Sequence, residues 1–133
     1  MSMNSQARIV IVGGGIMGVA LAYHLAEEGE TNVMLIEKGE LTSGSTWHAA
    51  GQCPSLVSNY NLAKIHDYGN RLYPTLEEKT GQYVSWHASG GIRVARQQAD
   101  IDWFHYMKGI ADNVGFHMEI IDAEKIKALN PFY

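Results

Sequence analysis

One cysteine, Cys53, is all the sulfur nucleophile this sequence has. A single thiol closes no internal disulfide, which excludes a disulfide-stapled secreted scaffold and fits a reducing compartment. Basic excess is missing too. Ten Lys and Arg stand against fourteen Asp and Glu, for a formal net charge of −4, and the cations are scattered, so there is no electrostatic footprint for nucleic acid. Apolar runs stay far below the ~20 residues needed to span a bilayer. Met1 to Ala7 is short and polar, without the regions of a secretion signal or the arginines of a transit peptide. A cytoplasmic protein without a membrane partner is the expectation. There is no P-loop, nucleophile elbow, internal repeat or low-complexity tract, and His87, His105 and His117 show no repeating metal-ligand spacing. What remains is a chain of 133 residues, 46% hydrophobic, able to bury roughly two thirds of its unfolded surface as a globular domain.

The informative stretch runs from Arg8 to Lys38. Ile9-Val10-Ile11-Val12 is a β-branched apolar run, the pattern of a strand buried on both faces of a parallel sheet. Gly13-Gly14-Gly15-Ile16-Met17-Gly18 follows and satisfies G-x-G-x-x-G. In that pattern Gly13 permits the tight turn, Gly15 lets a pyrophosphate approach the backbone, and Gly18 lets the next helix pack closely. That helix is predicted over about 16–28, with Ala20, Leu21, His24 and Leu25 on one side and Gly29 as terminator. Its free N–H groups and dipole, aimed at the turn, favour a phosphate. Asn32 to Ile36 predicts a second strand, and Glu37 stands nineteen positions after Gly18, where a ribose-binding acid belongs. A carboxylate there accepts from both ribose hydroxyls and repels a 2′-phosphate, which disfavours NADP and leaves NAD and FAD open. Residues 8–38 thus read as a βαβ dinucleotide-binding unit of an α/β protein. One such unit does not complete a doubly wound sheet, so the chain is expected to be part of a longer protein.

Gly39 to Cys53 is rich in Gly, Ser, Thr and Ala. It reads either as a flexible connection or as a loop pressed against a flat ligand. Gly44, Ser45 and Thr46 supply backbone and hydroxyl donors, Ala49, Ala50 and Gly51 leave room for a ring system, and Trp47-His48 is the bulky pair between them. On spacing alone His48 reads as a structural or hydrogen-bonding histidine.

Gly14-Gly15, Glu37-Lys38 and Gly44-Ser45-Thr46-Trp47-His48-Ala49-Ala50-Gly51 closely resemble the N-terminus of the dimethylglycine and sarcosine dehydrogenases, flavoproteins of the D-amino-acid-oxidase superfamily. The resemblance continues through Asn61 to His66, Leu76 to Gln82, Ile92 to Ala95 and Glu124 to Ile126, and so covers nearly the whole chain. It implies FAD, carried covalently by His48 through the flavin 8α-methyl carbon. Ile16 and Met17 would present backbone to the pyrophosphate, Glu37 and Lys38 would meet the adenosine portion, and Gly44 to Gln52 would follow the flavin. It further implies oxidation of an N-methylated glycine, an electron-transfer flavoprotein as acceptor, and tetrahydrofolate as a cofactor of a segment beyond Tyr133. The implied fold is an FAD-binding Rossmann-type unit with a parallel sheet, leading into part of a mixed α+β substrate domain, with residues 1–133 its N-terminal part. Cys53-Pro54-Ser55 departs from the mammalian pattern, which leaves the substrate open. Two rivals are an amine or amino-acid oxidase with non-covalent FAD and a non-catalytic dinucleotide-binding module.

Downstream, Asn61 to Lys79 has helical spacing, with Pro74 placed to kink it and Gly81 to end it. His66, Tyr68 and Tyr73 on this stretch read as packing or solvated surface. Val84 to Trp86 and Gly91 to Ala95 read as strands around a glycine turn, and Arg93 as a solvent-facing strand residue. Gln98 to Val114 is predicted as an amphipathic helix closed by Gly115, Phe116 to Ile121 as a strand, and Asp122 as the cap of a last helix ending near Asn130-Pro131. No general base can be assigned within these residues.

Overall fold

The computed structural model describes residues 6–132, so Met1 to Ser5 of the polar start, and Tyr133, lie outside the described residues. The chain divides into two compact units, Met1–Gln52 and Cys53–Tyr133.

The first unit is the βαβ motif. Strand β1 (Ile9–Val12) and strand β2 (Val33–Ile36) pair in parallel, Ile9 opposite Val33 through Val12 opposite Ile36, with helix α1 (Ile16–Glu27) between them in sequence. The ladder extends at both ends, because Arg8 N–H donates to Asn32 O at 3.1 Å and Gly13 N–H to Ile36 O at 2.8 Å. Helix α1 ends as its glycine predicts. Gly29 adopts φ 83°, its N–H donates to Ala26 O and the Glu30 N–H reaches Leu25 O, the paired bonds of a Schellman stop. Burial corrects one expectation. Ile11 is only 6% exposed, yet Val12 is 83% exposed, so β1 is covered on one face and open on the other. A parallel sheet is dry on both faces only when helices cover both, and this unit supplies one helix.

The second unit is helical. Helix α2 (Tyr60–Thr80) starts at Asn59, whose side-chain oxygen accepts from the Asn61 and Leu62 N–H groups, runs through Pro74, and ends at Gly81 with φ 69°. Helix α3 (Gln98–Val114) is opened by Asp100, whose carboxylate accepts from the Arg96 and Gln97 N–H groups, and is closed by Gly115 at φ 97°. Helix α4 (Ala123–Leu129) is capped by Asp122 on the Lys125 N–H at 2.8 Å. The α2 and α3 helices enclose the core of this unit: Ala63 and Met107 are fully buried and Ile110 nearly so, with Leu56, Val57, Trp103 and Phe116 packed against them, and Ala111 is fully buried as well. Asp67 is buried on α2 beside Arg71, an ion pair at 2.6 Å whose alignment leaves Oδ2 without a properly directed hydrogen bond.

Three predicted strands are absent. Val84 to Trp86, Gly91 to Ala95 and Phe116 to Ile121 form no ladder among the described residues. Side-chain alternation marks a segment that could lie in a sheet, but a strand exists only where a neighbour takes its backbone hydrogen bonds. Ser85 also breaks the first of them, at φ 53°. Among the described residues no helix is long and apolar enough to cross a membrane.

Candidate functional site: the glycine turn and the loop latched to it

Each glycine of the turn has a steric reason to be one. Gly13 turns the chain out of β1 at φ 107°, a region closed to most side chains. A Cβ on Gly18 would sit 1.9 Å from the Gly13 carbonyl oxygen, so the first turn of α1 can rest on the strand end only without one. Gly15 is the N-cap of α1, in extended conformation and with no side chain to cap it. A Cβ there would come within 3.1 Å of the Thr46 hydroxyl.

Gly14 is the residue that motif reasoning left without a role. It is buried, its N–H donates to Glu37 Oε2 at 2.6 Å, and its carbonyl accepts from the Thr42 N–H at 2.9 Å. A Cβ on it would meet Leu41 Cδ2 at 2.5 Å and Glu37 Cβ at 3.0 Å. The available signal was the unbroken triplet Gly13-Gly14-Gly15, one glycine more than the fingerprint demands.

Glu37 stands at the end of β2 with Oε2 on Gly14 and Oε1 accepting from the Gly39 N–H at 2.9 Å. The Gly14 bond foremost, and the Gly39 bond after it, hold its carboxyl below the usual glutamate range, against a smaller opposing effect of desolvation. An ionised carboxylate offers about four lone-pair sites, so two backbone bonds leave room for further donors.

The loop after β2 is a run of tight turns rather than a slack connection. The Thr46 hydroxyl accepts from the Ile16 N–H at 2.9 Å and so caps α1 from thirty residues away in sequence. Trp47 N–H lies 3.1 Å from both Thr42 O and Gly44 O, His48 N–H reaches Ser45 O, and Ala49 N–H reaches Thr46 O. His48 Nδ1 is 2.9 Å from Gly44 O. A carbonyl can only accept, so Nδ1 carries the proton and, in the neutral ring, Nε2 carries the lone pair. His48 is exposed, as is Trp47, at 78%.

The first unit therefore gathers Gly13, Gly15, Ile16, Met17 and Gly18 at the start of α1, Glu37 and Lys38 at the end of β2, and Gly44, Ser45, Thr46, Trp47 and His48 in the latched turns. Ala49, Ala50, Gly51 and Gln52 continue the loop and are exposed. One expectation changes: the Ile16 N–H, assigned to pyrophosphate, is held by Thr46. The N–H groups of Met17 and Gly18 still have no carbonyl four residues back within the helix. The Met17 and Gly18 N–H groups at the start of α1 and the carboxylate of Glu37 fit the phosphate and ribose of a dinucleotide.

The other candidates belong to the second unit and are tied up in its packing. Arg93 lies over the Trp103 ring at 5.6 Å and donates to Leu56 O at 3.3 Å, from a segment that is not a strand. His66 Nδ1 donates to Pro54 O at 2.6 Å. Tyr73 stacks on Trp86 at 5.4 Å, and burial pushes its phenol upward.

The sequence profile of the family described as FAD dependent oxidoreductase, DAO, matches residues 8–132. Mitochondrial dimethylglycine dehydrogenase of Rattus norvegicus is 47% identical over 126 residues, which is 95% of this chain and 15% of that protein. The 4-methylaminobutanoate oxidase (formaldehyde-forming) of Paenarthrobacter nicotinovorans is 37% identical over 127 residues, 96% of this chain and 15% of that protein. Among solved structures, L-proline dehydrogenase from P. horikoshii superposes with a TM-score of 0.86 at 26% identity, over 97% of this chain and 34% of that chain. The chain thus spans about 15% of the length of these curated relatives.

Proposed function

The chain belongs to the FAD dependent oxidoreductase family, and from that premise we propose that it is the cofactor-binding N-terminal part of an enzyme that oxidatively demethylates an N-methylated glycine, dimethylglycine or sarcosine. Residues 8–38 are its dinucleotide unit and residues 1–133 the first part of its FAD domain. The observation that carries the reading is the latch: a loop of small residues, bearing His48, hydrogen-bonded onto the glycine turn. Both curated relatives are named for substrates with a methylated nitrogen, which supports the substrate class.

When bound, the flavin supplies the redox chemistry by accepting a hydride from the N-methyl carbon at N5. The residues of this chain bind and orient. Glu37 holds the ribose hydroxyls with its remaining lone pairs and excludes a 2′-phosphate. The Met17 and Gly18 N–H groups and the α1 dipole face the pyrophosphate, with Lys38 toward the adenosine portion. Gly44 to Gln52 follow the flavin, and His48 carries it covalently through Nε2, the nitrogen that the Gly44 carbonyl leaves unprotonated. Tetrahydrofolate capture of the one-carbon product, electron-transfer flavoprotein as acceptor and a cytoplasmic location complete the proposal, the last supported by the single cysteine.

The name of the Paenarthrobacter relative favours one alternative, an oxidase that gives its electrons to oxygen. The test is made on the full-length protein. It is acid-precipitated, washed and examined for flavin fluorescence beside His48→Ala, and native protein, supplied with a dye as electron acceptor, is assayed with dimethylglycine for formaldehyde and for hydrogen peroxide. Flavin retained by the native chain and lost from the variant, with formaldehyde but no peroxide, is the expected result. Flavin that washes off both chains refutes covalent attachment, and peroxide in step with formaldehyde identifies the oxidase.

A further inference from the structure

We propose that Thr46 is the positioning residue that sets His48 in register with the glycine turn and thereby governs how fast the flavin becomes covalently attached; the inference rests on His48 being the attachment residue. Helix α1 begins at a glycine that cannot cap it, and the missing cap is supplied by the Thr46 hydroxyl on the Ile16 N–H. A second tether lies four residues earlier, where the Thr42 N–H donates to Gly14 O. Thr42 holds φ 66° to make it, a conformation that a β-branched residue adopts only under constraint. The two tethers bracket Gly44, whose carbonyl accepts from both the Trp47 N–H and His48 Nδ1. Ala49, directly after His48, hangs on the Thr46 carbonyl. The imidazole is therefore referenced to the glycine turn through the loop that Thr42 and Thr46 tether, with Thr46 supplying the one side-chain bond to the start of α1.

Attachment forms a bond from His48 Nε2 to the flavin 8-methyl carbon. One methyl C–H is given up as a proton, the alkylated ring keeps its Nδ1 proton on the Gly44 carbonyl as an imidazolium, and two electrons pass through the ring system to dioxygen, which takes up the methyl proton and one from solvent as hydrogen peroxide. Such a bond requires near-contact placement of nitrogen and carbon. An ångström of misplacement costs on the order of a hundredfold in rate.

The test uses full-length apoprotein given FAD, with two readouts: the affinity for FAD before attachment, and the rate at which acid-stable flavin fluorescence appears. Thr46→Val keeps the shape and loses the hydroxyl, and Thr46→Ser keeps the hydroxyl. We expect Thr46→Val to attach flavin at least about tenfold more slowly, a loss several times larger than its loss of FAD affinity. Thr46→Ser should attach at close to the native rate. If Thr46→Val does not fold, Thr46→Ala serves in its place. Attachment at the native rate overturns the proposal. So does a loss of FAD affinity as large as the loss of rate, which would make Thr46 a ligand contact instead. Native protein without acid-stable flavin, or His48→Ala with it, removes the reading on which the proposal rests and is a separate result.

Discussion

At the scale of single residues, the site is a set of backbone groups placed by side chains that come from far along the chain. Glu37 reaches back twenty-three residues to Gly14, and Thr46 thirty to Ile16. The turn thus depends on a carboxylate and a hydroxyl as much as on its glycines. Glu37→Gln keeps an oxygen for Gly14 and loses the charge. It should weaken FAD binding by about ten- to hundredfold, the usual value of hydrogen bonds to an ionised group, measured by titration of apoprotein. The same carboxyl sets a pH dependence. Its folded pKa is depressed, chiefly by the Gly14 N–H, so its contribution to stability is present above the ordinary glutamate value of about 4.3 and is lost as pH falls through the lowered folded value. Native protein should lose more stability than Glu37→Gln as pH drops below that value; parallel urea titrations across the window check it. Gly18→Ala is the steric counterpart. With the Gly13 carbonyl 1.9 Å from the new methyl, the turn must open, and FAD binding should be abolished while the helical unit keeps its circular dichroism. Gly13 and Gly18 were legible because their roles are local. Gly14 and Thr46 were not, because a side chain's distant partner leaves no trace in the spacing around it.

Elements divide in the same way. The helices were readable almost to the residue, since each carries its own punctuation: Gly29, Gly81 and Gly115 stop the first three with left-handed φ, and Asp122 starts α4 as its side chain predicts. The strands after Thr80 were misread because alternation states only that a segment has two faces. Helix α3 was legible in its packing as well. Its apolar spacing puts Met107 and Ile110 in one cluster with Ala63 of α2, and Met107 is the largest side chain wholly out of water. Met107→Ala should destabilise the second unit by about 2–5 kcal/mol, transfer and cavity terms together, which chemical denaturation followed by helical circular dichroism would measure. An effect below about 1 kcal/mol would mean that the α2–α3 contact collapses around the cavity instead of keeping it.

On the scale of the whole molecule, the βαβ unit carries a surface that its own residues do not explain. Val10, Val12 and Ile36 are about half exposed or more, and Val12 reaches 83%. Two strands and one helix form a marginal structure in water, and a parallel sheet open on one face is unusual. The chain spans about 15% of relatives with which it shares 37–47% identity, so the rest of a full-length protein is the natural cover for that face. On this argument Val12→Asp, harmless for a side chain in open water, should cost the full-length protein at least about 2 kcal/mol by burying an unpaired carboxylate, and FAD binding should weaken with it because Val12 directly precedes the glycine turn. Thermal unfolding of the full-length variant, with and without FAD, gives the answer. An unchanged melting temperature would mean that β1 keeps one wet face in the whole enzyme, and that the apolar run preceding the turn serves the cofactor rather than a core.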